Sequence, residues 1–222
     1  MNRNPTITLL KKDFRLNRLP IFGGAALICM PYLVGFAVYL TLRQQAFSSA
    51  NAREGVIACP QMALAVTYAM SAIFGGVAFA YERRERSGDF LAMIPVSRLR
   101  SIFSKSLISV GFLAPMWAIN NFAAQFLQPI HPRHLYLISA TAMLMCFGVA
   151  WLISSFQSSA AIAACTSIGL ISVCALVLNA MPYHPLSRPD EIIDRLEAVI
   201  FCFIGVTSFV AGSIYYLYRI AP

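Results

Sequence analysis

Charge is scarce in this chain. Lys, Arg, Asp and Glu make up 12% of its 222 residues, about half the share found in ordinary soluble domains. No stretch of soluble-domain size is free of an apolar run, which excludes the one or two water-soluble domains that the length alone would admit. Cys29, Cys59, Cys146, Cys165, Cys174 and Cys202 stand singly among apolar neighbours. Without a CxxC pair they signal neither a zinc site nor a disulfide framework, and they read as small buried hydrophobes. A GxxxxGK[ST] phosphate loop is missing, so the sequence offers no cradle for ATP. HExxH, GxSxG and paired acids within an apolar run are missing too, and no catalytic residue is expected. His131, His134 and His184 lack the spacing of a metal site, so no metal is expected. No cleavable signal peptide is read: the N-terminus is polar and basic through Arg18, and the first apolar run is long enough to span.

What the chain does have is apolar length. Hydrophobic residues make up 59% of it, with a mean hydropathy of +0.69. Six runs reach the roughly 20 residues that a helix needs to cross a bilayer core. They cover 21–42, 56–80, 102–127, 135–156, 160–180 and 196–217. The expected fold is all-α, a polytopic membrane protein with six transmembrane helices forming a single transmembrane domain over 1–222. The third run is the least clean, with Asn120, Asn121 and Gln125 in its later half. The fourth and fifth are joined only by Gln157-Ser-Ser159, which makes them a tight helical hairpin.

The formal net charge is +8. Its Lys and Arg lie between the apolar runs, which points to membrane orientation and away from nucleic acid. Arg3, Lys11, Lys12, Arg15, Arg18, Arg83, Arg84, Arg86, Arg98, Arg100, Lys105 and Arg219 fall on one side of a six-span topology. Arg43, Arg53, Arg133, Arg188 and Arg195 fall on the other. The excess places both termini and the loop 81–101 in the cytoplasm, with the bacterial cytoplasmic (inner) membrane as the expected location. The outer loops are then 43–55, 128–134 and 181–195.

Residues 1–20 read as a cytoplasmic interfacial helix. Asn4-Pro5 is a helix start. Ile7, Leu10 and Phe14 share a face, and Lys11, Lys12, Arg15 and Arg18 supply the basic groups beside it for anionic lipid headgroups. Leu9 and Leu16 fall on the far side. Near the other end, Pro189 followed by Asp190-Glu191 reads as the start of a short external helix leading into the sixth run.

The loop between the second and third runs carries the most information. Glu82 and Arg86 have the spacing and order of a helical ion pair. Gly88 suits a helix stop, Asp89 caps a new helix, and Pro95 ends it. Ser97 caps the element that rises into the third run. The short helix between them carries Phe90, Leu91 and Ile94, which need a dry surface, either on their own helix ends or in a groove on a partner.

These residues resemble a known signature. Glu82, Ser87-Gly88-Asp89, Leu91, Ile94-Pro95-Val96-Ser97-Arg98 and Lys105 look like the "E…SGT…L…LPVSR…K" pattern of permease subunits of ATP-binding-cassette transporters of the second integral-membrane type (type V exporter-like). Leu9-Leu10-Lys11-Lys12-Asp13-Phe14-Arg15 is similar to their "LLKKDL" opening. The layout matches over the whole chain, but only about 30 residues carry the motif signal. Asp89 stands where the family often has Thr, and either residue caps a helix.

The resemblance implies a cytoplasmic coupling helix in the loop and two permease subunits, a second copy or a paralogue, working with two ATPase subunits. No cofactor is expected on this chain; ATP and Mg belong to the partner ATPase. Contact with that ATPase is assigned to Glu82–Arg98. Phe90, Leu91 and Ile94 are the buried knobs, and Glu82, Glu85 and Arg86 are charge partners at the rim. The permease pair is expected to meet along spans two and five, with Thr67, Tyr68, Ser71, Thr166, Ser167, Ser172 and Asn179 as candidate path-lining groups. Trp117, Asn120, Asn121 and Gln125 either line a vestibule or pack between helices. No charged residue is expected deep in a span, which argues against an ion-driven carrier and favours an amphiphilic or apolar cargo. The expected function is the membrane-spanning permease subunit of an ATP-driven exporter. The alternative is a non-transporting anchor, regulatory or immunity subunit that docks an ATPase.

Overall fold

The computed structural model describes residues 5–44, 49–84, 97–127, 134–179 and 189–219. They form α1 (Pro5–Leu16), α2 (Arg18–Gln44), α3 (Ser49–Arg84), α4 (Arg98–Leu127), α5 (His134–Phe156), α6 (Ala160–Asn179) and α7 (Pro189–Arg219). No strand occurs among the described residues. Helices α2 to α7 each contain a stretch long and apolar enough to cross a bilayer: Arg18–Thr41, Ala58–Ala80, Arg98–Leu127, Tyr136–Phe156, Ala160–Val177 and Arg195–Tyr218. The chain is a multi-pass helical membrane protein.

Helix α3 begins well before its apolar run, and α7 runs unbroken from Pro189 into the last span, so Pro189–Arg195 is the first part of α7 and not a separate helix. Pro5 opens α1 as its sequence predicts. The 85–96 segment, with the expected coupling helix, lies outside the described residues.

Helix α3 is the centre of the bundle. It packs against α2, α4, α5 and α6, and 67% of its apolar window is buried, against 17% for α6. Lipid gives apolar helices no hydrophobic reason to associate, so close backbone approach has to supply much of the attraction. Gly75 and Gly76 provide it on two sides of α3. A Cβ at Gly75 would strike the Phe147 carbonyl of α5, and one at Gly76 would meet the Ala160 carbonyl of α6. The α5–α7 pair, the most extensive packing in the molecule, closes on Gly148 and Gly205, whose backbones touch directly. Around these contacts sits an aromatic cluster. Phe79 stacks on Tyr216 with centroids 4.3 Å apart and meets Trp151 edge-on at 4.7 Å, while Phe209 lies 5.1 Å from Trp151.

Helix α1 docks on α4 and turns into α2 at Asn17, whose side-chain amide donates to the Asp13 carbonyl at 2.8 Å. Leu9 and Asp13 are buried, Asp13 at 3% exposure, while Ile7 and Phe14 point outward. Leu9, placed on the far side by periodicity, is the residue that packs inward.

The Gly148–Gly205 contact makes a quantitative demand. Gly148→Leu is expected to force α5 and α7 apart and to lower stability by at least about 1–3 kcal/mol, the usual cost of overpacking. Gly111→Ala, at a position with nothing within 4 Å, serves as the control. Thermal unfolding in detergent micelles checks this, and equal melting of the two variants would contradict the packing.

Candidate functional site

The ends of α3 and α7 meet the start of α4, and there the bundle buries an ion pair. We call this the basal end. Lys105, about two turns into α4, places its ammonium 2.9 Å from Glu82 Oε1 and donates to the Ala78 carbonyl at 2.6 Å. Tyr216 on α7 donates its hydroxyl to Glu82 Oε2 at 3.1 Å. The side chains of the ion pair are 8% and 10% exposed. An isolated charge at such a depth is very costly, and the pair is tolerable because each ion has both a counter-ion and a neutral hydrogen-bond partner. The Phe79 ring lies 5.7 Å from the ammonium and adds its negative face to the surroundings.

A second tie runs beside the first. Arg98, the first residue of α4, donates from Nη1 to the Leu217 carbonyl at 2.9 Å. The last carbonyls of a helix lack intrahelical donors, so a guanidinium there satisfies an acceptor and favours the negative end of the helix dipole. Farther along α7, Trp151 of α5 donates to Ser213 Oγ at 3.2 Å. The two helices that bracket the 85–96 segment, α3 before it and α4 after it, are therefore tied to each other and to α7.

A second polar node sits toward the opposite end of the bundle. Asn120 of α4 accepts from Tyr32 Oη of α2 at 2.8 Å and donates to Thr67 Oγ1 of α3 at 2.9 Å, joining three spans through one amide. Nearby, Trp117 donates to Ser139 at 2.9 Å, and Ser139 donates to Asn121 Oδ1 at 3.3 Å, joining α4 to α5.

The residues singled out from the sequence fall into distinct groups. Glu82, expected as a charge partner at the rim of the ATPase contact, is buried inside the chain and paired with Lys105. Lys105, counted with the loop cations, is buried with it. Arg98, the first residue of α4, is half-buried against α7, and Ser97 is exposed directly before it. Glu85, Arg86, Gly88, Asp89, Phe90, Leu91, Ile94 and Pro95 lie outside the described residues.

Of the path candidates, Thr67, Ser71 and Ser167 are fully buried. Thr67 and Ser167 donate to carbonyls of their own helices, and Ser71 reaches the Met143 carbonyl of α5 at 3.0 Å. Tyr68 is half-buried beside them. Thr166 and Ser172 are exposed on α6, each returning its hydroxyl to a carbonyl one turn back. Asn179 is the last residue of α6. Asn120 and Asn121 pack between helices, and Gln125 is exposed. Lys11, Phe14 and Arg15 are exposed on α1, and Lys12 is half-buried. Among the described residues no three His, Cys, Asp or Glu side chains come together as a metal site.

The ion pair itself was missed from the sequence. Its signal was present, because one acid closes the second run, one lysine opens the third, and both belong to the motif quoted above. No family model matches the chain, and neither a curated protein nor a solved structure does.

Breaking one side of the pair separates its two contributions. Lys105→Met leaves a carboxylate buried without its counter-ion and is expected to cost about 3–5 kcal/mol, whereas the double variant Glu82→Gln/Lys105→Met recovers most of that loss. Unfolding of both variants in micelles checks this; a double variant no more stable than Lys105→Met would contradict it.

Proposed function

We propose that this chain is the membrane-spanning permease subunit of an ATP-driven exporter, working as a pair and driven by a separate ATPase. The observation that carries the reading is the basal clamp. The stretch 82–98 holds the permease-like motif, and the helices on either side of it are tied by charge to each other and to α7. A displacement delivered to that stretch passes to three spans together and is not absorbed at a loose loop root. The chain lacks a phosphate loop, so the energy comes from a partner that binds ATP and Mg.

In this reading the bacterial cytoplasmic membrane holds the bundle, with both termini and the basal end in the cytoplasm. Closure of the two ATPases pushes the paired 82–98 stretches toward each other, and the spans repack between two states. Helix α6 is the face for the second permease copy or paralogue. It presents Ile162, Val173, Leu176 and Val177 outward, and Gly169 on it has open space where a Cβ would stand. Helix α3 is too enclosed to serve along its whole length. Gln61, Met62 and Ala65, in the half away from the basal end, are exposed among its described residues and are the part that joins such an interface. Cargo is amphiphilic or apolar, because the buried ion pair is engaged at the basal end and is not part of a charged central path.

The test is substitution of Leu91 and Ile94 by Asp, followed by co-purification with the cognate ATPase and measurement of cargo-stimulated ATP turnover. Both are expected to fall at least tenfold while the bundle stays folded. Unchanged values in both would remove the stretch from a coupling role. Reconstitution that gives ATPase binding but no cargo flux would assign the chain to a non-transporting anchor.

A further inference from the structure

A hollow of about 470 Å³ lies where α1, the start of α2 and α4 meet, lined by Leu10, Lys11, Phe14, Arg15, Arg18 and Ile108. We infer that it binds one anionic phospholipid, with the phosphate among Lys11, Arg15 and Arg18 and an acyl chain against Phe14 and Ile108. The chemistry is that of an amphiphile with negative charge at one end. Three cations recur at successive turns along α1 and into α2. None of the three has an acidic partner among the described residues, and the acid on the same helix, Asp13, is turned away and buried at 3% exposure. The rest of the wall is apolar, which suits a lipid tail and not a free ion.

The depth fits a headgroup as well. Arg18 is the first residue of the first membrane-spanning stretch, so the cations sit at the boundary between apolar span and polar surface. A polar face of this kind attracts anionic lipid by roughly fivefold in affinity per cation, which makes the preference over a zwitterionic lipid about 100-fold for three. The site has a structural consequence. Ile108 lies one turn beyond Lys105 on α4, so a lipid seated against both α1 and Ile108 braces the helix that carries the basal ion pair. The inference needs the membrane-embedded bundle but not the exporter reading, and it is tested on the chain alone.

The full chain is exchanged into micelles containing dioleoylphosphatidylglycerol or dioleoylphosphatidylcholine, and retained lipid is counted by native mass spectrometry alongside thermal unfolding. One phosphatidylglycerol per chain is expected to be retained, with a raised melting temperature and about 100-fold preference over phosphatidylcholine. Lys11→Gln/Arg15→Gln/Arg18→Gln is expected to abolish that preference. Ile108→Trp, which keeps every charge and fills the apolar wall, is expected to lower retention at least fivefold. Equal retention of the two lipids by the unaltered chain overturns the site. So does displacement of the lipid by millimolar inorganic phosphate, which would mark a simple anion site. Full retention by Ile108→Trp also overturns it, because it would reduce the hollow to a diffuse basic patch.

Discussion

A carboxylate and an ammonium 2.9 Å apart, shut away from water at one end of a helical bundle, set terms for everything near them. Each ion alone would be prohibitive in a low-dielectric interior, so α3 and α4 are held in the one arrangement that keeps them together. Tyr216 completes the carboxylate and brings in α7; Ala78 completes the ammonium and returns it to α3. Such a clamp specifies geometry more than it adds net stability, because desolvation offsets much of its Coulomb attraction. That is a useful property at the roots of a segment whose proposed role is to receive force.

Away from the clamp, different physics holds the spans. Lipid tails are as apolar as leucine side chains, so burial alone does not discriminate helix from lipid. The bundle relies on close backbone contact at Gly75, Gly76, Gly148 and Gly205 and on amide and hydroxyl ties such as Tyr32–Asn120–Thr67. Each tie is worth roughly 1 kcal/mol or less in a membrane, but each also selects one rotation and one depth for its helix. Polar residues in the third span therefore act as position markers. On the exposed side of α6, Thr166 and Ser172 turn their hydroxyls back to their own helix and tie it to no other span.

The spans were legible in the sequence because the bilayer imposes a length and a composition, and the observed stretches follow the expected ones within a few residues. Which span would be central was not legible. Helices α3 and α6 are both apolar, and hydropathy does not tell a protein neighbour from lipid. The same ambiguity applies to α1. An interfacial helix has two apolar environments, lipid and protein; the face with Ile7 and Phe14 stays outward, and Leu9 and Asp13 are the residues buried against the protein. Gly148 against Gly205 required knowing that α5 and α7 are neighbours. Glu82 and Lys105 were both quoted as motif residues, but their mutual contact depends on how α3 and α4 pack, and no local spacing rule reports that.

The clamp claims that three helix ends behave as one unit, and amide hydrogen exchange measures this most directly. In Lys105→Met, amides in the last turns of α3, the first turns of α4 and the last turns of α7 are predicted to lose protection together, while those around Gly148 and Gly205 keep theirs. Loss of protection confined to α4 would contradict the account, because it would show that the buried charges do not bind the basal ends into a single body.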